Sequence, residues 1–101
     1  MMESMTVYLR FEELCHTCNA SEEILIQLIE HGIVEPGGES PEEWRFDSTM
    51  VAIARRAARL HRDLGLEWEG IAIAIDLLRK TEHLRAENEM LHRRLRRFLA
   101  D

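Results

Sequence analysis

With 101 residues, 46% of them hydrophobic and 32% charged, the chain has room for one globular domain and one additional helix. It lacks the run of about eighteen apolar residues that a membrane span needs, and its start, MMESMTVYLR, lacks the basic-then-apolar order of a signal peptide, so the expected compartment is the cytoplasm. The net charge of −6 is unevenly spread: residues 1–54 hold two basic side chains, Arg10 and Arg45, against eleven acidic ones, whereas residues 55–101 hold eleven basic against eight acidic. Phosphate contact dominates DNA affinity and requires Lys and Arg at the contact face. The acidic half therefore argues against DNA and for a cationic partner surface.

Thr6-Val7-Tyr8-Leu9 is β-branched and aromatic and reads as a short strand. Residues 11–18 read as a short helix with Phe11, Leu14 and Cys15 on one face, and Asn19-Ala20 as a turn. Ser21 is a good N-cap, and Glu22 and Glu23 follow in the first turn, where carboxylates suit the helix dipole. Ile24, Leu25, Leu28 and Ile29 make the apolar stripe of this second helix, and Gly32 fits its C′ position. Ile33-Val34 starts an extended segment, PGGESPEE is a loop by composition, and Trp44-Arg45-Phe46 alternates like a returning strand. Residues 33–46 thus read as a β-hairpin wing.

Asp47 or Ser48 can cap a third helix over 49–64, ended by Gly65, with Met50, Val51, Ala54, Ala57, Ala58 and Leu64 among its apolar positions. A long helix is expected over 68–99. Within it Ile71-Ala72-Ile73-Ala74-Ile75 alternates with period two, but Ala is not a polar strand face, and good helix formers continue to the end.

Leu77, Leu84, Leu91 and Phe98 recur every seven residues. With these at d positions, Thr81, Asn88 and Leu95 occupy a positions, and a polar Asn at a sets register and oligomer state. The competing possibility is a helix packed on its own domain. A helix of roughly 45 Å, at 1.5 Å per residue, is longer than so small a domain covers, so a homodimer is expected through Leu77, Leu84, Asn88, Leu91, Leu95 and Phe98.

Cys15-His16-Thr17-Cys18 is a CxxC, but the second ligand pair of a zinc site and the βαβ setting of a redox site are both missing. It reads as two small residues in a helix, with Cys15 buried. His16, His31, His61, His83 and His92 read as surface residues. No nucleophile is paired with a base and no phosphate loop is present, so no catalytic, cofactor or metal site is expected, and no enzyme activity. Trp44, beside Phe46, is expected to pack on the domain rather than stand out as a binding anchor. Arg93, Arg94, Arg96 and Arg97 make a basic cluster that suits the dipole at the end of the long helix.

Strand, helix-turn-helix, wing, helix and long dimerising helix is the order found in MerR-type regulators. The residues that carry this resemblance are 21–36, the return strand WRFD, and IARRAARLHRDLGL through to Gly70-Ile71. In that family the second helix usually carries Arg and Tyr toward DNA. Here its middle is Leu25-Ile26-Gln27-Leu28-Ile29, and residues 21–43 contain no Lys or Arg. The segments FEELCHTCNASEE, EHGIVEP, RAARLHRDLGLEWEGIAIAIDLL and HLRAENEMLHRRLRRFL, in that order, resemble the CbpM-type chaperone modulatory proteins. That resemblance implies binding to, and inhibition of, the J-domain of a CbpA-type co-chaperone. J-domains carry a strongly basic second helix.

The expectation is a mainly α, MerR-like winged helix-turn-helix with a small β-wing over 1–75, and a coiled-coil-like dimerisation helix over 76–101. In a MerR-like arrangement Glu22, Glu23 and Glu30 of the second helix and Glu39, Glu42 and Glu43 of the wing would face the partner as one negative field. The rival is a MerR-like transcription regulator binding DNA as a dimer, and a third class is a small-molecule sensor.

Overall fold

Local chemistry sets the helix boundaries in the computed structural model, which describes residues 7–100. Among the described residues four α-helices form, α1 (Phe11–Cys18), α2 (Glu22–Glu30), α3 (Ser48–Leu64) and α4 (Trp68–Ala100), with a 3-10 turn, Pro41–Glu43, between α2 and α3. At the start of α1 the Arg10 N–H donates to Glu13 Oε1 at 2.9 Å. Ser21 Oγ accepts from the Ile24 N–H at 3.3 Å and starts α2, and Asp47 Oδ1 accepts from the Met50 N–H at 2.9 Å and starts α3. Gly65, with φ of 62°, ends α3 in the left-handed region that glycine adopts without a steric cost.

The packing is built around α3, which touches α1, α2 and α4. Ala54, Ala57 and Ala58 share one face of it and are buried, so backbones approach closely there. Leu14 and Cys18 from α1, Leu25 and Leu28 from α2, Phe46, and Ile71 and Ile75 from α4 close the core over those alanines. Leu64, counted above among the apolar positions of α3, lies at the helix end and is exposed.

Two expected β elements do not form among the described residues. Thr6 lies outside them. Val7 and Tyr8 are exposed and unpaired in any ladder, and only Leu9 makes an isolated antiparallel bridge, exchanging N–H···O bonds of 2.9 and 3.0 Å with Phe46. The wing is a loop rather than a hairpin, held by one bridge between Gly37 and Arg45. The cause is local. The Ile33 and Val34 amides, which a hairpin would need, both donate to the Leu28 carbonyl at the end of α2, at 2.9 and 3.4 Å. Both side chains are buried in the core. Pro41 then begins a 3-10 turn in place of a strand, and Gly38, with φ of 103°, lies where a Cβ would stand 2.6 Å from the Glu43 carbonyl oxygen.

In α4 the period-two run 71–75 is helical: Ile71 and Ile75, one turn apart, are buried, and Ile73 points to solvent. From Asp76 to Ala100 every residue is exposed. The helix has 33 residues, so it extends for about 50 Å; its buried contacts with the rest of the chain lie in its first two turns, and the Arg56–Glu82 ion pair ties it to α3 further along.

Candidate partner-binding surface

The outward side of α2 follows from its phase. At 100° per residue, Leu25 and Leu28 point inward, while Glu22, Glu23, Ile26 and Glu30 share the opposite arc. Ile26 and Glu30 fall between Glu22 on one flank and Glu23 on the other. All three glutamates are exposed, and Ile26 remains 37% exposed at the centre of the ridge.

Each flank of this ridge opens into a depression walled by a tryptophan. On the Glu22 side a notch of about 320 Å³ is lined by Phe11, Glu12, Glu22, Pro41, Glu42 and Trp44, with Arg10 at its edge. Trp44 is half-buried and packs edge-on against Phe11, with ring centroids 5.6 Å apart, and against Phe46 at 6.4 Å. It is thus part of the domain's packing, as expected, while its remaining surface faces the notch. On the other side Glu23, Ile24, Gln27, His61 and Trp68 line a shallower depression. There the His61 ring stacks on Trp68, with centroids 4.1 Å apart and planes inclined by 18°. His61 is therefore a packed side chain that joins the end of α3 to the start of α4, and not simply a surface histidine.

The six candidate glutamates are placed as follows. Glu22 and Glu42 meet in the first notch, where Glu12, a residue the sequence reading had not singled out, joins them. Glu23 faces the second depression. Glu39 and Glu43 are linked to each other in the loop, the Glu39 N–H donating to Glu43 Oε2 at 3.4 Å. Glu30 is exposed at the end of α2. Among the described residues none of these seven carboxylates is in an ion pair. Arg10, which lines the first notch, is engaged with Glu13 at 3.6 Å. The carboxylates of this surface thus keep their charge uncompensated.

The CxxC lies on α1 with only Cys18 turned into the core. Cys18 is the buried member and Cys15 the half-buried one, the reverse of expectation, because the phase of α1 turns Leu14 and Cys18 toward α3 together. Burial pushes the Cys18 thiol up to about 11, against a weaker opposing pull from Arg55; Cys15 is also raised, by burial first and by Glu22 second. Neither is poised to act as a thiolate. Among the described residues no group of three or more His, Cys, Asp or Glu side chains is placed to hold a metal ion.

Two further features lie away from α2. A groove of about 440 Å³ between α3 and α4 is lined by Thr49, Ala52, Ile53 and Ile75 and crossed by the Arg56–Glu82 pair at 2.9 Å. Along α4 Leu77, Leu84, Leu91, Leu95 and Phe98 are all more than half exposed, with Asn88 exposed among them. No helix among the described residues is long and apolar enough to cross a membrane.

The α1–turn–α2 pair seated on α3 is a helix-turn-helix, and residues 9–93 match the sequence model of the MerR HTH family of regulatory proteins. Over nearly its full length the chain is also similar to proteins named chaperone modulatory protein CbpM. It is 47% identical to that of Pseudomonas putida (strain W619) over 98 residues, covering 97% of each chain. It is 46% identical to that of Pseudomonas entomophila (strain L48), again over 97% of each, and 36% identical to that of Salmonella paratyphi B over 98% of each. The chain belongs to this CbpM family of MerR-like proteins.

Proposed function

We propose that this protein is a chaperone modulator that acts without catalysis in the cytoplasm, binding the J-domain of a CbpA-type co-chaperone and so inhibiting its co-chaperone and DNA-binding activities. The observation that carries this is the outward face of α2. In a DNA-reading helix-turn-helix that face must supply cations to phosphate. Here it presents Glu22, Glu23 and Glu30 around Ile26, and residues 21–43 contain no Lys or Arg. A negative field of this kind steers a basic helix into contact and excludes nucleic acid. Glu39, Glu42 and Glu43 extend the field into the loop.

The same reading takes residues 1–75 as the binding domain and 76–101 as a dimerisation helix. A stripe of Leu77, Leu84, Leu91, Leu95 and Phe98 left open to water along one helix is stabilised by a second copy through a heptad seam, with Asn88 selecting the register.

Titration calorimetry with the isolated J-domain, beside a mobility-shift assay on duplex DNA at low salt, tests the proposal. Saturable J-domain binding with no sequence-specific DNA complex is expected. A specific DNA complex and no J-domain binding would turn the assignment to a transcription regulator.

A further inference from the structure

We infer that the outward face of α2 seats a single amphipathic basic helix of the partner, with Ile26 beneath its apolar stripe and one of its cationic side chains entering each flanking notch. The first notch is formed by Phe11 and Trp44 with Glu12, Glu22 and Glu42, the second by the His61–Trp68 stack with Glu23 and Gln27. This rests on the acidic face being the partner surface and adds where the partner's charges go.

Three observations on the fold define the occupant. The ridge is mixed: an exposed isoleucine stands between carboxylates, which suits a helix with one apolar row and cations on either side of it, and repels a phosphate backbone. Each notch couples an aromatic wall to carboxylate, or to carboxylate and amide, and that pairing favours Lys and Arg, whose apolar stems cover rings while their heads reach the acid. The carboxylates have no ion-pair partner among the described residues, and Arg10, at the edge of the first notch, is paired with Glu13 instead, so the notch carboxylates are left to a cation from outside the chain. The two notches diverge from adjacent residues, because Glu22 and Glu23 lie 100° apart on α2. One small cation cannot engage both notches at once, whereas side chains projecting from a rigid helix can.

The chain has two tryptophans, and each walls one notch. Trp44→Phe therefore leaves Trp68 as the sole indole emitter, and Trp68→Phe leaves Trp44, with an aromatic ring retained at each position. The probe is a helical peptide of about twenty residues with Leu on one face and Arg and Lys on the flanks, set against its Glu-substituted counterpart and the isolated J-domain. Titration with the basic peptide should change emission of both single-tryptophan variants along one saturation curve, with no response to the acidic peptide. Glu22→Lys with Glu42→Lys should abolish the Trp44 response, Glu23→Lys the Trp68 response, and each should weaken binding by about tenfold or more. In wild-type protein the two indole N–H resonances provide the same readout should a variant fail to fold. Peptide binding that leaves either tryptophan unchanged, or an absence of peptide binding, overturns the inference. A J-domain that binds the wild-type protein without perturbing either indole also overturns it while leaving the co-chaperone assignment standing. A peptide that fills both notches beside a J-domain that does not bind retains the inference and removes that assignment.

Discussion

Leu91→Asp separates a dimerising α4 from a helix that merely projects. Leu91 is 58% exposed in the single chain, so the domain core loses nothing when it is replaced, and the helix bears the change at a cost below about 1 kcal/mol. In a seam, the exposed part of the leucine leaves water, which contributes roughly 1–2 kcal/mol out of the 1.5–3 for a whole side chain. Two-fold symmetry applies that loss twice, and each introduced carboxylate must also be desolvated in an apolar layer, which costs at least about 1 kcal/mol more. The total is about 4 kcal/mol or more, a dissociation constant raised by about a thousandfold. Sedimentation equilibrium across micromolar to millimolar protein should show wild-type dimer and variant monomer, with helicity by circular dichroism unchanged. Wild-type protein that is monomeric at tens of micromolar, or a variant that still dimerises, refutes the seam.

Other outcomes follow from the same surface and core. Charge reversal of Glu22 with Glu23, and separately of Glu42 with Glu43, should slow J-domain association and flatten its salt dependence, read by stopped flow at two salt concentrations; unchanged association in both would move the interface off α2 and its loop. Low-salt mobility shifts should show no sequence-specific DNA complex, and one abolished by Gln27→Ala or Arg45→Ala would contradict the charge argument. Phe46→Ala removes the largest fully buried side chain among the described residues and should lower unfolding free energy by about 3–5 kcal/mol in denaturant titration. Cys18, raised from 9.0 to about 11, ionises in the unfolded chain before it does so in the folded one. Its stabilising effect is therefore complete below pH 9.0 and is lost as pH rises toward about 11, and Cys18→Ala should reduce the slope of stability against pH in that window.

Periodicity and caps are local, and they made the helices readable. Ser21, Asp47 and Gly65 mark boundaries through bonds to residues within four positions, and the apolar stripe of α2 has the phase that buries Leu25 and Leu28. The charge inventory is likewise a property of the chain alone, so the acidity of the α2 face was visible before its geometry. The wing was misread because pairing between strands competes with helix termination, and the Leu28 carbonyl captures the Ile33 and Val34 amides first. In the CxxC, the expected buried cysteine was Cys15, and it is Cys18 that turns inward because α1 docks on α3 through Leu14 and Cys18. Glu12 reaches Glu22 and Glu42 only because α1, α2 and the 3-10 turn converge there; its one sequence signal was its place beside Phe11 in the first turn of α1. Nothing in the spacing of His61 and Trp68 announced a stacked pair beside Glu23. Sequence thus determined which residues are helical, which faces are apolar and what charge they carry. The tertiary structure decided which of those faces share a notch, because that depends on packing several helices against one small alanine-lined surface of α3.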